Sequence, residues 1–391
     1  MKYKAAIRKL KWEQFFMTPF VWMGFAAAKI WPLKTQHRLF LFFPNADIGG
    51  AVKVNADIAE LFKAEKPLII FSKKAHNNLY RPLFEATGIK IIDLHRQIDN
   101  KALHFINFFY RGLLAGWINA QPKATVFGGE SIFFYKIIPH LRPSVKCVEL
   151  CHVSKWLPYN IGFIHRIHAR IFSTRGIKKE VEQQYRQNDL PQAYFQKLFF
   201  IDNAIDIPEV CINNPERLQL FFIGRGSPQK RIHLVAQIAH EAHEQNLPVD
   251  VNFVGDVEKM IDPGQYPYCR FYGSITDKEK MATLYRQADV LLLTSAFEGL
   301  PVVIMEMMAL GKTVISTAVS GIPDYIFHRK NGLLIYAQSE AEIIAEGIQL
   351  IKEILAQPSL LQQWGQQARQ DAIAQFGRSS FNAAYQKIMG S

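Results

Sequence analysis

Two carboxylates separated by seven mostly apolar residues are the positions in this chain best suited to chemistry. Glu298 lies in the turn Phe297–Pro301, and Glu306 lies in the apolar run Val302–Leu310. The proline that ends the turn suits the first position of a helix, and Gly311 suits the position just after its end. Since this helix is apolar on nearly every side, we expect it to be buried. A charged Glu306 there needs a hydrogen-bonding partner, either an arginine of the protein or the hydroxyl groups of a ligand.

Two cations follow a predicted strand in the second half of the chain. Arg225 and Lys230 flank the glycine-containing turn after the apolar run Leu218–Ile223. Guanidinium and ammonium groups beside free backbone N–H groups suit a diphosphate, so we interpret the turn as a phosphate-binding loop. A solvated basic loop is the alternative.

Two weaker signals lie in the first half. Gly49 and Gly50 stand between an apolar strand and a helix-compatible stretch, where a backbone without side chains can approach a phosphate or sugar at a helix N-terminus. His152 comes at the end of the strand-like run that contains Leu150. Each has a structural alternative: turn formation for the glycines and a packing role for the histidine.

Composition limits the classes of protein that the chain can be. With 391 residues, of which 49% are apolar and 20% charged, it is long enough for two folded domains. The net charge of +12 and the isoelectric point of about 9.4 favour an anionic partner: nucleic acid, phosphorylated metabolites or an anionic membrane. The chain has no recognisable nucleic-acid-binding motif, so we expect no nucleic acid partner. Four cysteines without zinc or disulfide-framework spacing indicate a reduced, cytoplasmic setting.

Residues 1–37 differ from the rest, because a basic start precedes the apolar and aromatic run Phe15–Ala28. The run is shorter than the roughly 20 residues that cross a bilayer, and Pro19 interrupts it. We interpret the segment as an interfacial anchor on the anionic inner face of the cytoplasmic membrane. The alternative is a helix that packs on the protein itself or on a partner subunit.

Apolar strand-like runs alternate with helix-compatible stretches twice along the chain. Such runs indicate parallel sheets that are buried on both faces, so the predicted fold class is α/β with two doubly wound, Rossmann-like domains. We expect residues 38–205 to form the first domain and residues 206–372 the second, with a helix at about 373–391 packing back on the first. Ligands of such sheets bind beyond the carboxyl ends of the strands, and two facing domains would make one cleft.

Together these motifs resemble those of glycosyltransferase family 4, whose members are retaining enzymes with the GT-B fold. The most specific part is the E-x7-E pattern of Glu298 and Glu306 within FEGLPVVIMEMMALG. Four other segments are similar to the family: GRGSPQKR (224–231), IDNAID (201–206), FYGSI (271–275) and KNGLLI (330–335). The chain departs from the usual residues at Ala204, Thr294, Ser320 and Asp324, none of which is an implied phosphate or ribose ligand.

The resemblance implies a role for each matching residue. Arg225 and Lys230 neutralise the diphosphate of a nucleotide-sugar donor, and Glu306 hydrogen-bonds its ribose. The other implied donor-binding residues are Glu298, Gly299, Leu300, Pro301 and Val302 around the sugar, and Gly49 and Gly50 from the first domain. The implied catalytic residues are Glu298, Arg225, Lys230 and His152, the last of which faces the donor sugar.

We therefore expect a retaining glycosyltransferase that moves a sugar from a nucleotide-diphosphate donor to a hydroxyl of a saccharide or glycolipid acceptor. The resemblance places the reaction in the synthesis of lipopolysaccharide or another cell-surface polysaccharide. Arg225 and Lys230 can stabilise the leaving diphosphate, so this interpretation needs no metal ion and no cofactor. The alternatives are a non-catalytic scaffold or binding protein of the GT-B fold, and a nucleotide-sugar epimerase or phosphorylase on the same fold.

Overall fold

The chain divides into two compact units. The first comprises Met1–Ala204 and Phe381–Ser391, and the second comprises Ile205–Ser380. Each unit contains its own parallel β-sheet. The structure, a computed structural model, describes residues 3–99, 104–152, 160–209, 216–275, 277–298 and 301–390.

The sheet of the first unit is formed by β1 (Leu39–Phe43), β2 (Leu68–Phe71), β3 (Lys90–Asp93), β4 (Thr125–Gly129), β5 (Lys146–Cys151), β6 (Ala169–Phe172) and β7 (Leu198–Phe200). Its helices include α1 (Tyr3–Ile30), α2 (Gly50–Leu61), α3 (Arg81–Glu85), α4 (His95–Ile98), α5 (His104–Asn119), α6 (Ile132–Ile137) and α7 (Arg175–Gln187). The strand order is β3-β2-β1-β4-β5-β6-β7. β1 and β2 are buried at every position, which is why both are continuous apolar runs in the sequence.

The sheet of the second unit is formed by β8 (Leu218–Ile223), β9 (Val249–Val254), β10 (Arg270–Phe271), β11 (Val290–Leu293), β12 (Thr313–Thr317) and β13 (Leu333–Ile335). The helices that follow β8 are α8 (Ile232–Glu244), α9 (Lys278–Gln287), α10 (Val302–Ala309), α11 (Glu340–Ala356), α12 (Ser359–Phe376) and α13 (Arg378–Met389). The strand order is β10-β9-β8-β11-β12-β13. In both sheets the first strand is central and the chain winds outward on either side, so the crevices for ligands lie between β1 and β4 and between β8 and β11.

The helix α13 returns to the first unit. Phe381 and Tyr385 on α13 are buried in the same apolar cluster as Phe127 of β4, and the rings of Phe127 and Tyr385 lie 6.4 Å apart. The chain leaves the second unit at Phe381, whereas α12 stays within the second unit up to Phe376. A helix of 12 residues is marginal alone in water, so α13 is stabilised by this apolar contact.

The N-terminal helix α1 packs closely on α5 through small residues. A methyl group on Gly112 of α5 would lie 2.0 Å from the carbonyl oxygen of Val21, and one on Gly24 of α1 would lie 2.1 Å from the carbonyl oxygen of Phe109. Pro19 interrupts the apolar run of the sequence but lies inside α1 and does not end the helix. The inner face of α1 is therefore part of the core of the first unit.

Gly112→Ala is expected to lower the free energy of unfolding by roughly 1–3 kcal/mol, because the added methyl group cannot fit without moving two backbones apart. Gly176→Ala in α7 is the matched control, since the same methyl group meets no atom closer than 3.9 Å there. Thermal denaturation of both variants measures the difference. Equal melting temperatures for Gly112→Ala and the wild type would contradict the close approach of the two helices.

The outer face of α1 carries large apolar side chains in contact with solvent. Exposed fractions are 68% for Trp12, 71% for Phe15, 71% for Phe16 and 71% for Trp22. Among the described residues, no helix is both long enough and apolar enough to cross a bilayer. The helix thus has one face that packs on the protein and one face that remains apolar and open.

Candidate active site

Lys230 and Glu298 form an ion pair at the carboxyl edge of the second sheet. Lys230 ends the turn after β8, and Glu298 follows β11, the neighbouring strand. Lys230 Nζ lies 2.5 Å from Glu298 Oε1, and the two side chains are only 13% and 9% exposed. Two residues that the sequence separates by 68 positions therefore meet at the switch point between β8 and β11.

The two loops that carry this pair are held together by several further hydrogen bonds. Gln229 donates from its side-chain amide to the carbonyl oxygen of Phe297 at 2.8 Å. Arg231 donates to the carbonyl oxygens of Thr294 at 2.7 Å and Ser295 at 3.0 Å. Arg231 has a left-handed backbone, with φ of 45°. The sequence did not indicate these roles of Gln229 and Arg231, because their partners are main-chain carbonyl groups and no side-chain motif identifies such partners.

Glu306 lies in α10 with a hydrogen bond from the hydroxyl group of Tyr285 in α9 to its Oε2 atom. Burial raises the pKa of Glu306, and the Tyr285 hydroxyl partly offsets this. Most of α10 is buried, as expected, but its first residue, Val302, is exposed. Among the described residues, the hydroxyl group of Tyr285 is the one donor to this carboxylate, which leaves acceptor capacity for a ligand.

Arg225 is exposed and has no hydrogen-bond or ionic partner among the described residues. The loop beside it is anchored by Asp256, whose Oδ1 atom accepts the backbone N–H of Gly226 at 2.7 Å. Lys259 pairs with the same carboxylate at 2.5 Å and, with that N–H group, lowers the pKa of Asp256 to about 2. Asp256 therefore shapes the glycine turn that presents Arg225.

The start of α10 differs by one residue from the sequence-based expectation. Pro301 is the residue before the helix, with an extended backbone at φ −61° and ψ 132°, and Val302 is the first helical residue. Gly311 follows the helix with φ of +72°, as its predicted role requires. Gly299 and Leu300 fall outside the described residues. The first turn of α10, whose N–H groups have no partner within the helix, starts at Val302.

In the first unit, Gly49 and Gly50 mark the start of α2, after β1. The carbonyl oxygen of Gly49 accepts the N–H of Lys53 at 2.9 Å, and a methyl group added to either glycine would meet no atom within 4 Å. The preceding loop is held by Asp47, whose carboxylate accepts the backbone N–H groups of residues 76–78, the closest at 2.8 Å. The N-terminus of α2 therefore borders open space, which suits a ligand.

His152 follows β5 and is an uncharged group at neutral pH. Burial lowers its pKa to about 4, and its Nε2 atom has no hydrogen-bond partner among the described residues. Its backbone N–H donates to Glu130 Oε1 at 3.1 Å. A buried imidazole with an unused nitrogen can form one hydrogen bond to a ligand hydroxyl.

A buried ionic network supports the strand that ends at His152. Glu149 of β5 accepts two hydrogen bonds at 3.0 Å from Arg170 of β6, and Cys151 donates to the same carboxylate at 2.8 Å. Arg170 also donates to the hydroxyl group of Tyr185 at 2.7 Å. Removing one member of such a pair typically costs about 3–5 kcal/mol, so the network fixes the carboxyl end of β5.

Comparison with known proteins supports a glycosyltransferase superfamily. Residues 206–371 match the family model described as glycosyl transferases group 1. One relative, N-acetyl-alpha-D-glucosaminyl L-malate synthase of Bacillus anthracis, is 31% identical over 111 residues, or 28% of each chain. Another, the putative colanic acid biosynthesis glycosyltransferase WcaL of Escherichia coli, is 24% identical over 149 residues, which are 35% of this chain and 36% of that protein. The chain thus spans about a third of the length of these curated relatives.

The fold extends much further than the sequence similarity. The crystal structure of Anabaena Alr3699/HepE in complex with UDP and glucose superposes with a TM-score of 0.68 at 15% identity, over 91% of this chain and 100% of that one. Two parallel-sheet α/β units with these strand orders, together with this likeness, define the GT-B fold. The predicted fold class is therefore confirmed.

Proposed function

We propose that this protein is a retaining glycosyltransferase of family 4 that transfers a sugar from a nucleoside diphosphate donor to a hydroxyl group. The observation that supports it most is the Lys230–Glu298 pair, whose lysine lies in the same loop as the exposed Arg225 and on the same unit as the partly buried carboxylate of Glu306. The group 1 match covers all four residues. UDP, present in the complex of Alr3699/HepE, is the kind of donor nucleotide that we propose for this chain.

Each residue has a proposed chemical role that follows from its charge and surroundings. Arg225 and Lys230 bind the diphosphate and stabilise the negative charge that develops on it as the bond to the sugar breaks. Glu306 accepts hydrogen bonds from the ribose, and Glu298 accepts them from the sugar. Because the two cations carry the leaving-group charge, the proposal needs no metal ion or cofactor.

The acceptor that we propose is a saccharide or glycolipid of a cell-surface polysaccharide. The relation to WcaL, a putative enzyme of colanic acid biosynthesis, supports this class. The chain's net charge of +12 also favours an anionic acceptor or an anionic surface that carries it.

Thermal unfolding with UDP-, GDP- and ADP-sugars tests the donor site. The correct nucleotide at about 100 times its Kd should stabilise the protein by about 2.7 kcal/mol. Arg225→Ala should weaken that stabilisation without lowering the melting temperature of the free protein, because Arg225 is exposed and makes no described contact. Lys352→Ala, an exposed cation in α11, is the matched control and should behave as the wild type.

Product analysis separates the proposal from its alternatives. A transferase releases the nucleoside diphosphate only when an acceptor is present, and the new glycosidic bond keeps the donor's anomeric configuration. An epimerase alters the donor without any acceptor, whereas a scaffold binds the donor and releases nothing. Inversion at the anomeric carbon would overturn the retaining mechanism while leaving the transferase intact.

We also propose that the protein lies on the cytoplasmic face of the cell membrane, held there by the outer face of α1. Exposed Trp12, Phe15 and Trp22 can enter the interface of the bilayer, and the basic residues at the start of the helix can face anionic headgroups. Deleting the segment is a poor test, because Ala6, Met17 and other inner residues of α1 are buried in the first unit.

The double variant Trp12→Asp/Trp22→Asp is expected to reduce co-sedimentation with phosphatidylglycerol vesicles by tenfold or more, since each large apolar side chain contributes roughly 1.5–3 kcal/mol when buried. Ile373→Asp replaces an exposed apolar residue of the second unit and serves as the control. If the double variant sediments with the vesicles as fully as Ile373→Asp does, the outer face of α1 is not the membrane contact.

A further inference from the structure

A cavity of about 700 Å³ lies within the first unit, bordered by α1, α5, α6 and the 3-10 turns Ile138–His140 and Ile161–Arg166. We call it the α1–α6 cavity. Its volume falls in the range typical of sites for drug-sized ligands. None of the donor-site residues lines it, and the proposed function assigns no role to it.

The α1–α6 cavity contains a buried cation that forms no direct ion pair among the described residues. Arg111 of α5 is 7% exposed. Its guanidinium donates to Asn107 Oδ1 at 2.8 Å and to the sulfur of Met17 at 2.8 Å, and it lies 4.8 Å from the ring centre of Phe108. Among the described residues, no carboxylate forms an ion pair with it. Burial lowers the pKa of Arg111 to about 10, although the Glu13 carboxylate partly offsets this, so the guanidinium stays charged at neutral pH.

Other polar groups around the cavity add to this positive character. Lys136 of α6 and Lys9 of α1 also line it, whereas Glu13 is its only lining carboxylate among the described residues and lies 3.7 Å from Lys9. Three cations against one carboxylate leave a net charge of +2. His140 lines the cavity as well, and its Nε2 atom is buried without a hydrogen-bond partner among the described residues.

Most of the remaining lining is apolar, and part of it reaches the surface. Leu10, Ile132 and Phe163 form part of the wall. Phe16 belongs to the wall and is also 71% exposed, and its ring contacts that of Phe15 on the outer face of α1 at 5.7 Å. Phe16 therefore connects the cavity with the apolar outer face of α1, where a hydrocarbon chain can lie. An inorganic anion would leave most of this wall uncovered.

We propose that the α1–α6 cavity binds one molecule of a lipid with a phosphate head, which contacts Arg111 and Lys136, and a hydrocarbon chain that leaves past Phe16. A doubly charged phosphate matches the net charge of the lining, and His140 offers a hydrogen bond to one of its oxygens. The proposal concerns binding alone and stands whether or not the donor site is correctly assigned.

Calorimetric titration of the full chain with monododecyl phosphate, below its critical micelle concentration, tests this site. We expect saturable binding of one molecule per chain. Inorganic phosphate carries the head charge without an alkyl chain, and dodecyl maltoside carries the same alkyl chain on an uncharged sugar head. Each should bind at least tenfold more weakly than monododecyl phosphate. Equal affinity for dodecyl maltoside would overturn the role of the cations, and equal affinity for inorganic phosphate would overturn the lipid.

Variants locate the binding within the molecule. Lys136→Met should weaken monododecyl phosphate binding by tenfold or more, whereas Lys90→Met, at an exposed lysine of β3, should leave it unchanged. Arg111→Met should have a larger effect, with circular dichroism to establish that it folds. Trp22→Ser alters the outer face of α1 but not the cavity and should bind normally. Wild-type affinity in Lys136→Met, or a loss in Trp22→Ser as large as that in Lys136→Met, would overturn the proposal.

Discussion

Glu298→Gln is expected to tighten the binding of a free nucleoside diphosphate about tenfold and to slow sugar transfer by roughly 10²–10³-fold. In the free protein the carboxylate holds Lys230 at 2.5 Å and competes with a phosphate for the same ammonium group. A hydrogen bond to a charged group contributes about 1.5–3 kcal/mol, so releasing Lys230 favours the diphosphate. Transfer falls because a neutral amide holds the donor sugar less strongly as charge develops.

Comparison with Lys230→Met makes this result specific. That variant should weaken diphosphate binding and transfer together, and it leaves the nearly buried Glu298 without its cation. Glu258→Gln, at an exposed glutamate of the same unit, controls for the change of one charge. Calorimetry with UDP and initial rates with the donor measure the two effects. If the affinity of Glu298→Gln for UDP equals that of Glu258→Gln, the ion pair does not compete with the phosphate.

Glu306→Gln is expected to stabilise the free protein while weakening donor binding by about 10–100-fold. The amide can keep the hydrogen bond from Tyr285, while the substitution removes the charge of a partly buried carboxylate. This change should raise the free energy of unfolding at neutral pH by on the order of 1 kcal/mol. Donor binding weakens because the amide is a poorer acceptor for ribose hydroxyl groups than a carboxylate is. Residues that bind a ligand often lower the stability of the ligand-free protein in this way.

The pH dependence of stability separates this effect from simple repacking. Burial raises the pKa of Glu306, so the folded protein binds this proton more tightly than the unfolded chain does. The resulting stabilisation is complete below the ordinary glutamate pKa and is lost as the pH rises through the raised value. Glu306→Gln should therefore melt above the wild type near pH 7 and close to it near about pH 4. A melting difference that does not change with pH would contradict this assignment.

The α/β architecture was predictable because its strands are buried on both faces. β1 and β2 are uninterrupted apolar runs, and their bounds in the structure fall within one residue of those that the runs indicate. The close packing of α1 on α5 was not predictable, since it depends on contacts between Gly24 and residues about 90 positions later. The sequence had therefore suggested a separate membrane segment or a packed helix, and the structure gives α1 both a packed and an exposed face.

The candidate site was predictable only where its residues lie close together in the sequence. Glu298 and Glu306 share one turn and helix, so their spacing could be recognised. Tyr285, which donates to Glu306, comes from another helix 21 residues earlier, and no local pattern connects the two. Asp256 likewise supports Gly226 across 30 residues. Such contacts follow from the order of strands in the sheet, which a periodic pattern does not specify.

The return of α13 to the first unit determines the order in which the chain can fold during synthesis. Ile205–Ser380 is continuous, so a ribosome delivers the whole second unit before the first unit is complete. The apolar cluster around Phe127 in the first unit is not covered until Phe381 and Tyr385 have been synthesised. A chain that ends just before these residues would therefore leave a first unit that still exposes apolar surface, a form that chaperones bind.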